Sequence, residues 1–203
     1  MEPDPYGGRT PTSHERLAGQ PWDASYRDGP APWDVGRPQP AIVRVAAQLS
    51  GPVLDAGCGT GENALHVATL GLAVLGVDVA ETAVAVAREK AAARGLSAEF
   101  EVADALHLPR LKRTFASVLD CGLLHTFDAD ERRRYVASLA AVTRNDGRVF
   151  VLCLNDEPHP VAEPELRAAF ADGWQVVSIV PERIETRFHA GGAHAWLATA
   201  RRV

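Results

Sequence analysis

Short apolar runs alternate with amphipathic stretches along most of the chain, and this alternation predicts an α/β protein. Runs of strand length occur at residues 52–56, 73–77, 98–103, 115–120 and 148–154. Stretches with helical periodicity occur at 41–49, 62–70, 81–94, 130–143 and 163–170. Because strands that alternate with helices form parallel sheets, we predict a doubly wound, mostly parallel sheet with helices on both faces.

The C-terminal pattern departs from this rhythm. Residues 174–184 and 193–200 both read as strands, and Gly191-Gly192 lies between them with no helix. Two strands joined in this way form a hairpin, so one strand of the sheet is predicted to be antiparallel. An earlier Asn145-Asp146-Gly147 sequence predicts a turn just before the fifth strand.

The N-terminal 50 residues are predicted to divide into two parts. Residues 1–20 are rich in proline, glycine, threonine and charge, which predicts a flexible tail. Trp22, Tyr26 and Trp33 follow among several prolines. Because exposed aromatic side chains on a mobile tail are unfavourable, we predict that residues 21–50 form a lid segment and a first helix. Residues 51–203 then form the core of a single domain that spans 21–203.

Composition restricts the function classes. The 203-residue chain has a net charge of −5, so a broad basic face for nucleic acid is not expected. No apolar run is long enough to span a membrane, and the polar N-terminus lacks a signal-peptide pattern, which favours a cytoplasmic protein. Cys58, Cys121 and Cys153 show no paired spacing. They are interpreted as buried free thiols, and no metal site is expected.

A glycine-rich turn provides the strongest functional signal. The first core strand runs into Gly57-Cys58-Gly59-Thr60-Gly61, and a helix is predicted to begin directly afterwards. Glycines at Gly57, Gly59 and Gly61 allow a ligand to approach the main chain closely. About twenty residues later the second strand ends at Asp78, where a carboxylate can bind both hydroxyls of a ribose. The combination predicts a pocket for an adenosine-containing ligand.

Charge around the turn discriminates between adenosine ligands. A dinucleotide site spaces its glycines G-x-G-x-x-G, whereas this turn reads G-x-G-x-G. Asp55 precedes it, Glu62 follows it, and there is no Lys or Arg between Gly51 and Arg88. Two carboxylates repel a pyrophosphate and attract a sulfonium or an ammonium group. The pattern therefore favours S-adenosylmethionine over NAD.

Two later acids fit the same ligand. Asp104 follows the third strand, and with the main chain of Ala105 it could bond the amino group and a ring nitrogen of adenine. Capping of the following turn is an alternative role for Asp104. Asp120 ends the fourth strand, at the edge where α/β sheets place their ligands.

These motifs, in this order, resemble those of the class I S-adenosylmethionine-dependent methyltransferases. The matching stretches are 53–61, Gly76-Val77-Asp78, Val102-Ala103-Asp104 and Val118-Leu119-Asp120. The resemblance covers roughly residues 40–203. It implies a Rossmann-like, seven-stranded sheet whose last strand is antiparallel. It also implies that the glycine turn contacts the methionine part, Asp78 the ribose, and Asp104 with Ala105 the adenine.

The segment Pro32-Trp33-Asp34-Val35-Gly36 and the residues up to Pro40 are similar to a stretch of the thiol, thiocyanate and halide methyltransferases, relatives of the thiopurine methyltransferases. In that group three aromatic residues line the cofactor pocket, and they match Trp22, Tyr26 and Trp33. Tyr26 replaces a tryptophan, and Cys121 stands where the plant enzymes carry a tyrosine. A simpler role for the three aromatics is to anchor the N-terminal segment to the core.

These observations predict a methyltransferase that acts on a small molecule, with a thiol favoured because it needs little help toward the thiolate. An oxygen or nitrogen acceptor would need a base, and His125 is the candidate, with helix capping or support of the site as its alternative role. The competing hypotheses are O- or N-methylation of an aromatic metabolite, an NAD(P)-dependent oxidoreductase and a non-catalytic binding module. The protein is expected to be a monomer or a weak homodimer.

Overall fold

A central sheet of seven strands organises the protein. The computed structural model describes residues 4–156 and 160–203. The strands in chain order are β1 (Val53–Ala56), β2 (Val74–Asp78), β3 (Ala98–Val102), β4 (Phe115–Cys121), β5 (Thr143–Leu154), β6 (Trp174–Ile184) and β7 (Ala193–Arg202). Their spatial order is β3-β2-β1-β4-β5-β7-β6. β7 is antiparallel to both of its neighbours, and the other pairs are parallel. The predicted fold class is confirmed.

Within residues 4–156 and 160–203, seven α-helices accompany the sheet. They are α1 (Ser13–Ala18), α2 (Ala24–Arg27), α3 (Pro40–Val45), α4 (Glu62–Thr69), α5 (Glu81–Arg94), α6 (Ala129–Val142) and α7 (Glu163–Ala169). The helix predicted at 41–49 is α3 followed by one 3₁₀ turn, Ala46–Gln48. Further 3₁₀ segments at Ala105–Leu111 and Leu124–Thr126 follow β3 and β4, and the apolar pattern did not indicate them.

The two faces of the sheet bury separate hydrophobic clusters. Ile42 of α3, Leu65 of α4 and Val84 of α5 pack on one face. Tyr135 of α6 and Leu166 of α7 pack on the other. Because successive side chains of a strand point to opposite faces, both clusters receive residues from every central strand.

β5 begins earlier than the sequence predicts. The expected turn at Asn145-Asp146-Gly147 is instead an irregularity within the strand, which starts at Thr143. The register against β4 shifts between Phe115 and Ser117, and Asp146 adopts a positive φ of 63°. A bulge of this kind keeps the backbone paired on both sides of a turn sequence, so the turn signal did not end the strand.

The segment predicted as a flexible tail contains α1 and is fixed by a buried carboxylate. Residues 1–3 lie outside the described part of the chain. Glu15 is fully buried, accepts the guanidinium of Arg9, and accepts the main-chain N–H groups of Thr12 and Trp22 at 2.9 and 3.0 Å. The main-chain N–H of Ser13 donates to Glu131 at the start of α6, at 2.7 Å. The polar composition of residues 1–20 predicted a flexible tail. Composition does not reveal which polar groups pair with one another in the fold, so these contacts were not predicted.

Replacement of Glu15 by glutamine should release the N-terminal residues. A buried ion pair that loses one charge leaves the other uncompensated, at a cost of about 3–5 kcal/mol. We expect trypsin to cleave after Arg9 and Arg16 at least tenfold faster in Glu15→Gln than in the wild type, measured by mass spectrometry of timed digests. Glu81→Gln, which changes an exposed carboxylate, is the matched control. Equal cleavage rates in all three proteins would contradict this anchoring.

Candidate functional site

A cavity of about 320 Å³ lies at the carboxyl ends of the central strands. Its walls come from the segments that follow β1, β2, β3 and β4, from the end of β5, and from the loop that joins β6 to β7. In the sheet order, the connections reverse direction between β1 and β4. Open α/β sheets bind their ligands at this crevice. The site residues predicted from the sequence are therefore expected to lie at this cavity.

The glycine turn forms the floor of this cavity. Gly57, Gly59 and Gly61 all have positive φ values and all line the cavity. At Gly61, with φ of +86°, a Cβ would lie 2.8 Å from both the Phe100 ring and the Ala87 Cβ. At Gly59, with φ of +51°, a Cβ would lie 3.1 Å from the Tyr26 hydroxyl. The turn is thus packed from below by the core and covered from above by an N-terminal aromatic residue.

Asp78 connects the turn to the second strand. Its carboxylate accepts the main-chain N–H of Gly59 at 2.8 Å and that of Ala80 at 2.9 Å. Burial raises the pKa of Asp78, and these two N–H bonds oppose the rise. Because each carboxylate oxygen has two lone pairs, both oxygens keep an acceptor site toward the cavity that Asp78 lines.

Asp104 and Ala105 also line the cavity, beyond the end of β3. Asp104 accepts the main-chain N–H of Leu106 at 2.9 Å and contacts Nδ1 of His107 at 3.0 Å. It therefore caps the 3₁₀ segment that follows, which was the alternative role considered from the sequence. Capping and ligand binding are compatible here, since the carboxylate has further lone pairs.

Asp55 and Asp120 lie behind the cavity wall and are not among its lining residues. Asp55 is 1% exposed and its carboxylate oxygens make no hydrogen bond of good geometry, and burial raises its pKa to about 7. Asp120 is fully buried and accepts the N–H groups of Leu123 and Leu124. Burial raises its pKa to about 6. Asp55 and Asp120 lie on opposite faces of the sheet. Both were expected at the ligand site from the sequence, but neither carboxylate lines the cavity.

Three predicted aromatic residues form one cluster over the cavity. The indole N–H of Trp33 donates to the Tyr26 hydroxyl at 2.9 Å. Trp22 meets Trp33 edge-on, with ring centroids 5.6 Å apart, and stacks on His14 at 4.3 Å. Burial and the charge of Asp78 raise the pKa of Tyr26, so its hydroxyl stays neutral. All four rings line the cavity.

Asp34 holds the aromatic cluster against the glycine turn, a role that sequence reasoning missed. Thr60 donates its hydroxyl to the Asp34 carboxylate at 2.6 Å. Arg187, in the loop between β6 and β7, donates from Nε to the main-chain oxygen of Asp34 at 2.7 Å. Gln39 exchanges two hydrogen bonds with the main chain of Glu185, at 2.8 and 2.9 Å. We call residues 22–40 the strap and residues 185–192 the β6–β7 loop.

Glu62 does not present a free charge to the cavity, which corrects one step of the sequence argument. Lys90 and Arg94 of α5 both lie 2.9 Å from its carboxylate. The window between Gly51 and Arg88 contains no cation, but α5 folds back and brings two cations to the turn. The ion pairs and hydrogen bonds to these cations lower the pKa of Glu62 against the effect of burial. Charge around the turn is therefore more balanced than its local sequence suggests.

His125 lies on the cavity wall after β4, where the sequence placed it. The main-chain N–H of Leu154 donates to its Nδ1 at 3.3 Å. A ring that accepts at Nδ1 is neutral and carries its proton on Nε2. The Nδ1 of His125 is thus engaged by the main chain of β5.

Several apolar side chains that line the cavity were not indicated as site residues by the sequence. The apolar members are Leu123, Phe127, Leu154, Ile184, Phe188 and Ala193. They come from four separate segments, and no local motif marks them. Within residues 4–156 and 160–203, no cluster of His, Cys, Asp or Glu side chains is arranged to hold a metal ion. Over the same residues, every helix is too short or too polar to cross a bilayer.

Comparison with known proteins gives consistent matches. Residues 53–147 match the family described as "Methyltransferase domain". The 2-heptyl-1-hydroxyquinolin-4(1H)-one methyltransferase of Mycobacteroides abscessus is 35% identical over 93% of this chain and 83% of its own length. The match covers far more of the chain than the glycine turn and the acids at the strand ends.

Two solved structures share the fold. One, described as "Conversion of a Disulfide Bond into a Thioacetal Group during Echinomycin Biosynthesis", is 40% identical with a TM-score of 0.82, over 89% of this chain and 91% of the other. The second is magnesium protoporphyrin IX methyltransferase from Synechocystis with bound SAM, 23% identical with a TM-score of 0.65, over 80% and 78% of the two chains. The latter likeness concerns the fold.

The buried carboxyl of Asp55 should make stability fall as pH rises. Its pKa is about 7 in the folded protein and about 3.9 in an unfolded chain. The folded state therefore binds the proton more tightly, and this stabilisation is present at low pH and lost between about pH 4 and pH 7. Relative to the wild type, Asp55→Asn should gain roughly 2–3 kcal/mol in free energy of unfolding between pH 5 and pH 8, measured by urea denaturation of the ligand-free proteins.

Asp130→Asn is the control for this measurement because the side chain of Asp130 is 80% exposed. A difference between Asp55→Asn and the wild type that stays constant from pH 5 to pH 8 would contradict the raised pKa.

Proposed function

Since this chain belongs to the S-adenosylmethionine-dependent methyltransferases and methylates a small molecule, we propose that the acceptor atom is a sulfur. The observation that carries this proposal is the state of His125. The Nδ1 of His125 accepts the main-chain N–H of Leu154, so this nitrogen is not available as a base. A thiol with a pKa near ~8.5 is partly ionised at neutral pH. It therefore needs a hydrogen-bond donor to its thiolate more than it needs a base.

The cavity has the shape and chemistry that the cofactor requires. We propose that Asp78 accepts both ribose hydroxyls with the lone pairs left by Gly59 and Ala80. Asp104 and the main chain of Ala105 contact the adenine, and the main chain at Gly57, Gly59 and Gly61 contacts the methionine part. Asp55 and Asp120 support this site from behind: Asp120 fixes the loop after β4, and Asp55 lies under the turn.

The aromatic cluster is proposed to cover the cofactor. When bound, S-adenosylmethionine supplies an electrophilic methyl group on a cationic sulfur. The faces of Trp22, Tyr26 and Trp33 attract such a cation by about 0.5–2 kcal/mol, the larger value applying where water is excluded. The neutral hydroxyl of Tyr26 lies directly above Gly59. A covered site also removes the solvation shell of the incoming nucleophile.

His125 is proposed to hold the acceptor by donating from Nε2 to the thiolate. The remaining contribution of the protein is positional, because a methyl transfer needs the nucleophile and the leaving sulfur in line. The structure described as converting a disulfide into a thioacetal supports sulfur chemistry in a protein that is 40% identical to this one.

Methylation of an oxygen or nitrogen on an aromatic ring is the second candidate. The observation that favours it is the name of the Mycobacteroides abscessus relative, a hydroxyquinolone methyltransferase. An oxygen acceptor requires removal of a proton, and His125 would then have to exchange its bond to Leu154 for a role as base. Membership in the methyltransferase family sets aside the oxidoreductase and the non-catalytic module.

The free thiols and the net charge of the protein bear on its cellular location and on the class of its acceptor. Cys58, Cys121 and Cys153 are free, which suits a reducing compartment, and we propose a cytoplasmic location. The net charge of −5 favours a small-molecule acceptor over nucleic acid. We propose that the protein acts as a monomer or a weak homodimer and that residues 21–203 form one domain.

Loss of the Asp78 carboxylate should weaken cofactor binding. Hydrogen bonds to a charged group contribute about 1.5–3 kcal/mol, so Asp78→Asn should raise the Kd for S-adenosylmethionine by about 10–100-fold in isothermal titration calorimetry. Cys58→Ala, a change on the same cavity wall, should keep the Kd within about threefold. Circular dichroism should verify that Asp78→Asn is folded, because Asp78 also binds the glycine turn. An unchanged Kd in folded Asp78→Asn would refute the ribose assignment.

Replacement of His125 should separate sulfur acceptors from oxygen acceptors. We expect the wild type to methylate thiols from a panel of thiols, phenols, N-heterocycles and halides, measured with a labelled methyl donor. A donor role predicts that His125→Asn, which keeps an N–H donor, retains at least about one third of kcat/KM for thiols. Loss of more than about 100-fold, together with turnover of phenols but not thiols by the wild type, would instead establish a base and an oxygen acceptor.

A further inference from the structure

The cavity has two ends of different chemistry, and the proposed cofactor accounts for only one. The end beside Asp78 and Asp104 is rich in hydrogen-bonding groups. Another part of the wall comes from the end of β5 and from residues 184–193, and it includes the apolar side chains of Leu154, Ile184, Phe188 and Ala193. Apolar walls gain free energy only when an apolar ligand removes them from water. The acceptor that enters this end therefore needs an apolar body.

Phe188 differs from the other members of this wall. The residue is 68% exposed although it lines the cavity, whereas Ile184 and Ala193 are buried. Its ring meets that of His189 edge-on, with ring centroids 6.4 Å apart, and the residue otherwise stays open to solvent. Because aromatic rings prefer offset-stacked or edge-to-face partners, a planar ligand fits such a position better than a small anion.

The β6–β7 loop holds Phe188 in place. The main-chain N–H of Phe188 donates to the Thr186 hydroxyl at 3.2 Å, and that hydroxyl contacts Nδ1 of His189 at 2.9 Å. The neighbouring Arg187 donates its main-chain N–H to the oxygen of Pro32 in the strap, at 2.9 Å. The exposed ring thus belongs to a loop that is fastened at the residues on both sides of it.

Charge at this end also limits the ligand. Arg37, at the cavity edge, is paired with Glu185 through contacts of 3.0 and 3.2 Å, so the two charges offset each other. Among the described lining residues, those from the end of β5 and from residues 184–193 include the imidazole of His189 and no carboxylate, while Asp34 of the strap lines the cavity and accepts the Thr60 hydroxyl. A cationic acceptor would find no counter-charge in that part of the wall, whereas a neutral or anionic one meets only donors or apolar groups.

We propose that the acceptor is a planar aromatic compound, neutral or carrying one anionic sulfur, and that Phe188 is the residue that selects it by packing against its ring. The inference rests on the proposed function and narrows it from small thiols in general to aromatic ones. Halide or thiocyanate ions, which cannot cover the apolar wall, are excluded as good acceptors.

The experiment compares an aromatic and an aliphatic thiol, 2-naphthalenethiol and 2-mercaptoethanol. Binding to protein saturated with S-adenosylhomocysteine is measured by isothermal titration, and KM and kcat are measured separately with S-adenosylmethionine. We expect 2-naphthalenethiol to bind at least about tenfold more tightly, and Phe188→Ala to raise its Kd and KM about tenfold with little change in kcat. Values for 2-mercaptoethanol should change less than about twofold.

Three further variants make the result specific. Phe188→Trp keeps a planar ring and should restore most of the affinity for 2-naphthalenethiol, whereas Phe188→Leu should not. Val177→Ala, at an exposed apolar position of β6 outside the cavity, is the control for loss of surface apolar area and should behave as the wild type. Because Phe188 is exposed, its variants should fold normally, which the unchanged Kd for S-adenosylhomocysteine verifies.

The outcomes separate this inference from the proposed function. Tight, Phe188-dependent binding of 2-naphthalenethiol without methylation of any thiol would support the aromatic acceptor site and refute sulfur as the acceptor atom. Methylation of both thiols with similar KM values, unaffected by Phe188→Ala, would support thiol methylation and overturn the role of Phe188. Equal binding by wild type, Phe188→Ala and Phe188→Leu would likewise overturn it.

Discussion

The contact between Asp34 and Thr60 is the interaction on which the rest of the site depends. One oxygen of Asp34 receives the Thr60 hydroxyl, the other receives the N–H of Gly36, and its main-chain oxygen receives Arg187. Three segments distant in sequence therefore meet at one residue: the strap, the glycine turn and the β6–β7 loop. The junction fixes the strap against the turn, and the bonds of Gln39 with Glu185 and of Arg187 with Pro32 add to it at the β6–β7 loop.

Burial changes what the acidic residues of the site can do. Asp55 and Asp120 lie in a low-dielectric environment that disfavours their charged forms, and Glu62 is paired with Lys90 and Arg94. The acids that line the cavity are Asp78 and Asp104, together with Asp34, which accepts the Thr60 hydroxyl, and the ion-paired Glu62. A site with few charges and much apolar wall is suited to positioning reactants and excluding water, rather than to acid–base chemistry.

Much of the fold and part of the site could be predicted from local patterns. The apolar runs located the strands, and the two strands predicted at the C-terminus correspond to β6 and β7. Gly57, Gly59, Gly61, Asp78, Asp104 and Ala105 line the cavity because each follows a strand of a parallel sheet, and those ends converge. The anchoring of α1 by Glu15 and the bulge at Asp146 escaped prediction, since each depends on partners far away in the chain.

The sequence by itself determined the order of strands and helices, the glycine turn and the acids at the strand ends. Periodicity and backbone sterics act over a few residues, so they can be read along the chain. Only the tertiary structure decided which carboxylates line the cavity, because adjacent positions of a strand face opposite sides of the sheet, and which of them are ion-paired, because α5 returns with cations for Glu62. It also decided the acceptor end, where Leu154, Ile184 and Phe188 share no motif and meet only through folding.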